Sequence, residues 1–244
     1  MNILYISKSI IPSRSANSIH VMKMCQAFAD NGHKVVLLAP DIKDKYEKGV
    51  ENVYDYYGVK KNFKIRKLFH PNLRAGAFLY IISIFFYLMI NLRFDLVYGR
   101  FLHGIYVATI FNYKVIYEAH LPASNKNDHR LIIFKKLIKS ENFLKMVVIS
   151  QALKKIYLNK GYLNAEKIQV AHDGADTVEN LDSKIELLGK KHDLKVGYVG
   201  HLYKGRGIEI IIECAKRLNY INFYLVGGLK EDIEYWESYT KNLN

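Results

Sequence analysis

A chain of 244 residues, half of them apolar and 24% charged, can bury a core in one or two domains, which excludes disorder, a collagen-like fibre and a disulfide miniprotein. Its 36 lysines and arginines against 23 acidic residues leave a formal charge of +13, which favours a partner bearing negative charge: phosphate, nucleic acid or an anionic membrane surface. The two cysteines, Cys25 and Cys214, form no CxxC pair, so neither a disulfide framework nor a cysteine-based zinc site is indicated, and a reducing cytoplasm is the natural setting.

Residues 3–7 read as a strand from the start, with no basic n-region or cleavage site ahead of them, so no secretory signal is expected. A helix follows, in which Asn17 or Ser18 can cap the first amides, Ile19, Met22, Cys25 and Phe28 recur at helical spacing, and Gly32 supplies a left-handed stop. Further strands are expected at 34–39, 64–68, 95–98, 114–118, 146–149 and 168–171, with helices between most of them. Repeated strand-helix-strand units predict a parallel sheet covered by helices on both faces.

Two segments between these strands invite a membrane reading. Residues 75–92, bounded by Arg74 and Arg93, carry no charge and lie at the lower limit of a bilayer span. A buried crossover helix is favoured instead, because the next core strand follows with almost no loop. Residues 130–145 can form an amphipathic helix with Leu131, Phe134, Leu137, Ile138 and Leu144 on one face and Lys135, Lys136 and Lys139 on the other. That pattern suits an anionic bilayer surface and equally a solvated helix packed on a sheet.

After a polar stretch that includes 173–176, a second series begins: strand 194–199, helix 207–218, strand 222–226 and helix 231–243. The expected organisation is a Rossmann-like domain over 1–175, a linker over 176–191, and a second Rossmann-like unit over 192–244. A β-α-β-α order is half of a doubly wound domain, so this second unit is expected to be incomplete. Most of the positive excess lies before the second unit, in which acids and bases nearly balance.

The run Gly200-His201-Leu202-Tyr203-Lys204-Gly205-Arg206-Gly207 stands after a strand and before a helix. Glycines there let the backbone approach a ligand, helix-terminal amides favour an anion, and Lys204 and Arg206 add two cations, which together make a phosphate or diphosphate cradle. Gly200-x4-Gly205 matches the start of a Walker A loop, but Arg206-Gly207 replaces Lys-Ser/Thr, so a nucleotide triphosphatase is excluded. The spacing of a dinucleotide fingerprint is absent as well. The alternative is a glycine-rich turn with incidental basic residues.

A second constellation, Glu118-Ala119-His120, ends a central strand, where alternate residues project together toward the ligand crevice of an open α/β sheet. No further ligands at metal-binding spacing accompany them, so no metal site is expected. Ser7, Arg100 and Ser150 mark other strand ends, and Arg100 is a natural phosphate or acceptor contact. A structural histidine and a surface salt bridge are the plainer alternatives.

These pieces, in this order, resemble the family 4 retaining glycosyltransferases of the GT-B fold, which have two Rossmann-like domains. Residues 18–24 (SIHVMKM) leading to 29–35 (ADNGHKV) resemble their first helix and second strand, 94–100 (FDLVYGR) and 148–150 (VIS) two later segments, 168–176 (IQVAHDGAD) the turn before their linker, and 200–207 their donor-diphosphate loop. The resemblance implies that His120 approaches the transferred sugar as the catalytic residue and that Gly200, His201, Lys204 and Arg206 hold the donor diphosphate. It also places Arg100, Glu118, Ser15 and Asn17 on the acceptor side or cleft.

The chain departs from that family at three places. Ser15-Ala16-Asn17-Ser18 stands where many members have a Gly-Gly pair, His201 stands for an arginine, and Asp173 stands for an asparagine. The sugar- and base-binding motifs that follow the diphosphate loop in the family have no counterpart, so an acceptor domain with the first half of a donor domain is expected, from a truncated or split chain. The implied activity is transfer of a sugar from a nucleotide diphosphate sugar to a glycan or lipid-linked acceptor, without metal or other cofactor, at the cytoplasmic face of a membrane. The implied partners are that donor, that acceptor, an anionic membrane surface and a second polypeptide supplying the rest of the domain, but no nucleic acid. A noncatalytic interaction subunit is the alternative.

Overall fold

The computed structural model describes residues 1–91, 93–123, 129–177, 186–187 and 194–241. The chain forms two compact units, Met1–Ala175 and Asp176–Asn244. Most of the linker expected over 176–191 lies outside the described residues, as do Leu92 and Leu243, the ends of two expected helical runs.

The first unit alternates strands and helices in an α/β arrangement: β1 (Asn2–Ile6), α1 (Ala16–Asp30), β2 (Lys34–Asp41), α2 (Val53–Tyr56), β3 (Lys64–Phe69), α3 (Gly76–Ile90), β4 (Leu96–Gly99), α4 (Leu102–Ile110), β5 (Val115–Ala119), α5 (His129–Ile138), β6 (Phe143–Val148), α6 (Gln151–Asn159) and β7 (Ile168–Val170). The strands form one parallel sheet in the order β3-β2-β1-β4-β5-β6-β7. This is the α/β, Rossmann-like architecture expected from the sequence, and its strand order reverses between β1 and β4.

Alternation along β1 shows how the sequence builds two layers. Ile3 and Tyr5 join Val21, Met22 and Cys25 of α1 on one face, while Leu4 and Ile6 join Tyr80, Ile84 and Leu88 of α3 on the other. A strand buried on both faces has no polar side, which is why it reads as a continuous apolar run. Gly99, ending β4, lies against β1 so closely that a Cβ would stand 2.1 Å from the Ile6 carbonyl oxygen.

Helix α3 settles the first membrane reading. Tyr80, Ile84 and Leu88 are fully buried at helical spacing, and among the described residues no helix is long and apolar enough to cross a membrane. The burial is one-sided, however, since Phe78, Phe86, Met89 and Ile90 are exposed.

Two expected boundaries are corrected. The cap of α1 is Ser15, whose side chain accepts from the Ser18 amide, and not Asn17 or Ser18, which lie inside the helix. Residues 130–145 do not form one helix. α5 stops at Ile138, a turn closes through Ser140 N to the Leu137 carbonyl, and Phe143 leaves to pair with Val115. Leu131, Phe134 and Leu137 are buried as the helical spacing requires, but Leu144 belongs to β6. Ser140 and Asn142 supply the turn chemistry that ends the helical stripe, with the Asn142 amide donating to Ser140 Oγ.

The second unit contains the parallel pair β8 (Leu194–Val199) and β9 (Ile221–Val226) with α7 (Ile208–Arg217) and α8 (Lys230–Thr240). Leu202, Ile208, Ile212 and Trp236 form its core, and the Trp236 indole donates to the Leu202 carbonyl. Leu194 and Val199 of β8 and Val226 of β9 remain exposed.

Candidate functional site

A cavity of about 1030 Å³ opens in the first unit beside the C-terminal ends of β1, β4 and β5, where Ser7, Arg100, Glu118 and His120 line it. In parallel sheets this edge, next to the reversal of strand order, is where ligands bind. The walls mix cations, among them Lys8, Arg74 and Arg130, with apolar side chains from α3, α4 and α5.

Glu118 is the centre of the polar network. It is 3% exposed at the end of β5, and a lone buried carboxylate there would be unstable. His120, just past the strand, shares a short hydrogen bond with Glu118 Oε1, and His20 of α1 brings Nε2 to 2.6 Å from the same oxygen. On the other carboxylate oxygen, the Tyr5 hydroxyl donates to Oε2 at 3.4 Å. The two imidazoles meet edge to face with centroids 4.9 Å apart.

Burial pushes the Glu118 carboxyl up, but hydrogen bonding from His120 and His20, the charge of His20 and a further bond from Tyr98 together hold it well below the usual carboxylate range. The same anion acts on its neighbours. Burial first, then Glu118, raises the hydroxyls of Tyr5 and Tyr98. Glu118 is therefore an ionised acceptor at neutral pH, unsuited to donating a proton. Its chemistry is to hold two imidazole rings in place.

His20 also lies 3.6 Å, through Nδ1, from Asp173 Oδ1, so the array runs His120, Glu118, His20, Asp173. His20, His120 and Asp173 offer ligand atoms within 4.8 Å of one another, which is spacing that can hold a metal ion. Glu118 already occupies the Nε2 side of both rings, so an ion there would have to displace or share that carboxylate.

The structure joins Glu118 to His120 directly and puts Arg100 and Asn17 on the same cavity. Asn17 donates to the Ser9 hydroxyl, while its buried Oδ1 has no hydrogen-bond partner among the described residues. Ser15 is taken up by capping α1 and by its hydroxyl neighbours Ser13 and Ser18. Ser150 likewise caps α6. His20 and Asp173 were missed by sequence reasoning as site residues. The available signals were His20 inside the motif of the first helix and Asp173 in place of the usual asparagine.

Gly200, His201, Lys204 and Arg206 form the β8–α7 loop of the second unit. The Gly200 amide donates to the Val226 carbonyl, and the Tyr198 hydroxyl donates to the His201 carbonyl. Gly207 caps α7 with φ of 85°, a left-handed conformation that a side chain would strain. Lys204 and Arg206 are exposed and lie over aromatic rings, Lys204 Nζ 4.3 Å from the Tyr235 centroid and Arg206 Cζ 4.8 Å from that of Tyr203. Hydrogen bonding to Tyr235 raises the Lys204 ammonium above its ordinary range, and the loop presents Lys204 and Arg206 beside a helix N-terminus.

Comparison with known proteins gives a family and a fold. The Glycosyltransferase Family 4 profile matches residues 18–179. The chain is similar in structure to Anabaena HepE, solved in complex with UDP and glucose, at 15% identity and a TM-score of 0.63, covering 99% of this chain and 65% of HepE. It is similar also to sucrose-phosphate synthase from Thermosynechococcus elongatus, at 15% identity and a TM-score of 0.70, covering 100% of this chain and 68% of that one. A third similar structure is the lipopolysaccharide outer core galactosyltransferase WaaB in its apo form, at 16% identity and a TM-score of 0.64, covering 100% of this chain and 65% of WaaB. The chain thus spans about two thirds of the length of these proteins. No curated protein sequence matches it.

Proposed function

Since this chain belongs to Glycosyltransferase Family 4, we propose that it takes part in transfer of a sugar from a nucleotide diphosphate sugar to a glycan or lipid-linked acceptor, with retention of anomeric configuration. The observation that carries the proposal is the cavity at the strand reversal, lined by His120 and by Glu118, whose buried carboxylate contacts both His120 and His20. That is a preorganised polar surface of the kind that positions a reacting group.

In this proposal the first unit takes the acceptor and the second takes the donor. Gly200, His201, Lys204 and Arg206 hold the diphosphate, and the two cations neutralise the charge that grows on it as the sugar bond breaks. The acceptor hydroxyl attacks the anomeric carbon on the face that the diphosphate leaves, and a leaving diphosphate oxygen takes its proton. No enzyme nucleophile or metal is needed for that step. The UDP and glucose bound by HepE make UDP-glucose the first donor to test. The positive charge of the chain fits a cytoplasmic protein working at the inner face of a membrane.

A second reading is favoured by one observation. The exposed apolar residues Leu194, Val199 and Val226 on the β8–β9 pair are suited to contact with further polypeptide. In that reading the chain is a noncatalytic interaction subunit that recruits such polypeptide.

A panel of nucleotide sugars, assayed for release of the nucleotide diphosphate with product anomers read by NMR, tests the function. Release that depends on an added sugar acceptor and gives the retained anomer supports transfer. An inverted anomer removes the retaining mechanism. Absence of release that a second polypeptide restores selects a split enzyme, and absence that no added polypeptide restores selects the subunit reading.

A further inference from the structure

We propose that the outward face of α3 docks the first unit on an anionic lipid bilayer, with Phe78, Phe85, Phe86, Met89 and Ile90 entering the interface and Lys64, Arg66 and Arg93 meeting the headgroups. The inference rests on the membrane placement already proposed and names its surface; sugar transfer is not needed for it.

The first observation is the composition of α3 set against its burial. The helix, GAFLYIISIFFYLMI, carries no charge on any side. Helices that are apolar all round are ordinarily enclosed by protein or by lipid. Here Tyr80, Ile84 and Leu88 enter the core, while Phe78, Phe85, Phe86 and Met89 fall on the opposite side with half-buried Ile82, at helical spacing, and are exposed. Phe78 is 64% exposed and Ile90 75%. Single exposed apolar side chains are ordinary, but a continuous stripe along a whole helix marks a contact surface. Polar groups of the helix do not interrupt it: Ser83 turns its hydroxyl to the Leu79 carbonyl, and Tyr80 donates to the Ser7 carbonyl in the core.

The second observation is the sign of the charges beside the stripe. Lys64 and Arg66 pair in register with Val36 and Leu38, which pack into the core under α3, so both stand on the α3 side of β3. Together with Arg93 they line a cleft of about 560 Å³ against Tyr87 and Ile90, and among its described lining residues there is no acid. Burial raises the Tyr87 hydroxyl and Arg66 pulls it back, as a guanidinium beside the helix must. Asp95, the acid next in sequence, accepts from the Asn2 amide.

These cations select the occupant. A second copy of the chain would bring the same positive rim to the contact, whereas an anionic leaflet brings the opposite sign. Exposed Phe, Met and Ile bordered by Lys and Arg is also the makeup of helices that lie in a bilayer surface. At about 1.5 Å per residue the 15-residue α3 is about 22 Å long, short of a hydrocarbon core of about 30 Å, and its buried face is fixed to the sheet. It therefore lies in the interface and does not span. Phe78 and Ile81 also line the large cavity, so the docked face begins at the cavity wall, where a lipid-linked acceptor arrives from the bilayer that anchors it.

The test is co-sedimentation of the full 244-residue chain with vesicles of phosphatidylcholine, alone or with about one third phosphatidylglycerol, at about 0.15 M salt. Binding to the anionic vesicles is expected to exceed binding to the neutral ones by about tenfold or more. Phe86→Ser with Met89→Ser is expected to lower anionic binding about tenfold, and so is Arg66→Gln with Arg93→Gln. Lys135→Gln with Lys136→Gln, which removes the same charge from α5, is expected to leave it within about threefold. All six positions are exposed, so urea midpoints are expected to stay near wild type. Should the apolar pair fail to fold, the arginine pair still decides.

Absence of vesicle binding overturns the proposal, as does binding that survives both α3-side pairs or is lost only in the α5 pair. A wild-type dimer that the apolar pair makes monomeric, without vesicle binding, assigns the face to a second copy and overturns it as well. Should vesicle binding fail while nucleotide sugars are still turned over in solution, only this inference falls. Should vesicles bind as expected while no donor is turned over with or without a second polypeptide, the transfer proposal falls and the docking surface stands.

Discussion

His20 Nε2 lies 2.6 Å from Glu118 Oε1, so a side chain of the first helix is held by the carboxylate that ends the fifth strand. Because His120 contacts the same oxygen, one buried anion fixes two imidazoles from distant parts of the chain. Removing the anion therefore affects both packing and the polar surface of the cavity.

Replacing Glu118 with glutamine keeps the shape and removes the charge, so Glu118→Gln is expected to destabilise the first unit by about 1–3 kcal/mol at neutral pH. The sign of the pH dependence follows from the depressed carboxyl. Its contribution is complete above the unfolded value, about 4.3, and is lost as pH falls through the lower folded value. Urea midpoints of wild type and variant, measured from pH 7 down to pH 3, are expected to differ most above about pH 5 and to converge in acid. A gap that widens in acid contradicts this assignment.

His120→Ala is expected to lower turnover by about 100-fold while leaving the Kd for the nucleotide diphosphate within about twofold, since its contacts are in the first unit. His20→Ala should lower turnover less, by about tenfold, because in this account it acts by orienting its neighbours. Steady-state kinetics beside calorimetry separates the two effects. Weaker donor binding in both variants would place these histidines on the donor instead.

Gly207→Ala introduces a side chain where φ is 85°, at an expected cost of about 1 kcal/mol to the second unit. Thermal melts should show that loss together with weaker nucleotide binding, as the loop and the start of α7 move as one. A stable Gly207→Ala protein with unchanged binding would contradict the anion-cradle assignment of this loop.

Chelation distinguishes the hydrogen-bonded array from a metal centre. With Glu118 already against both rings, EDTA is expected to leave turnover unchanged. Loss of activity that zinc restores would mean that His20, His120 and Asp173 hold a required ion.

The sheet was legible because each strand is a short apolar run closed by turn-forming residues, and all seven expected strands of the first unit are present. Glu118 and His120 could be paired from sequence since they stand two apart at a strand end. His20 and Asp173 could not be joined to them, because no local periodicity records that α1 packs beside the end of β5. The cap of α1 was ambiguous for a different reason. Ser13, Ser15, Asn17 and Ser18 can all accept an amide, and the choice of Ser15 depends on how the preceding loop packs. The end of α5 was obscured because Phe143 and Leu144 continue an apolar stripe that the sheet claims for β6.

The most direct measurement is calorimetric titration of UDP-glucose, with UDP and GDP alongside, into the purified chain at moderate salt. The account predicts saturable one-to-one binding of a nucleotide diphosphate, weakened about tenfold or more in Lys204→Ala and retained in His120→Ala. Absence of saturable binding, or binding indifferent to Lys204→Ala, would contradict the claim that the loop at Gly200 to Gly207 receives the donor.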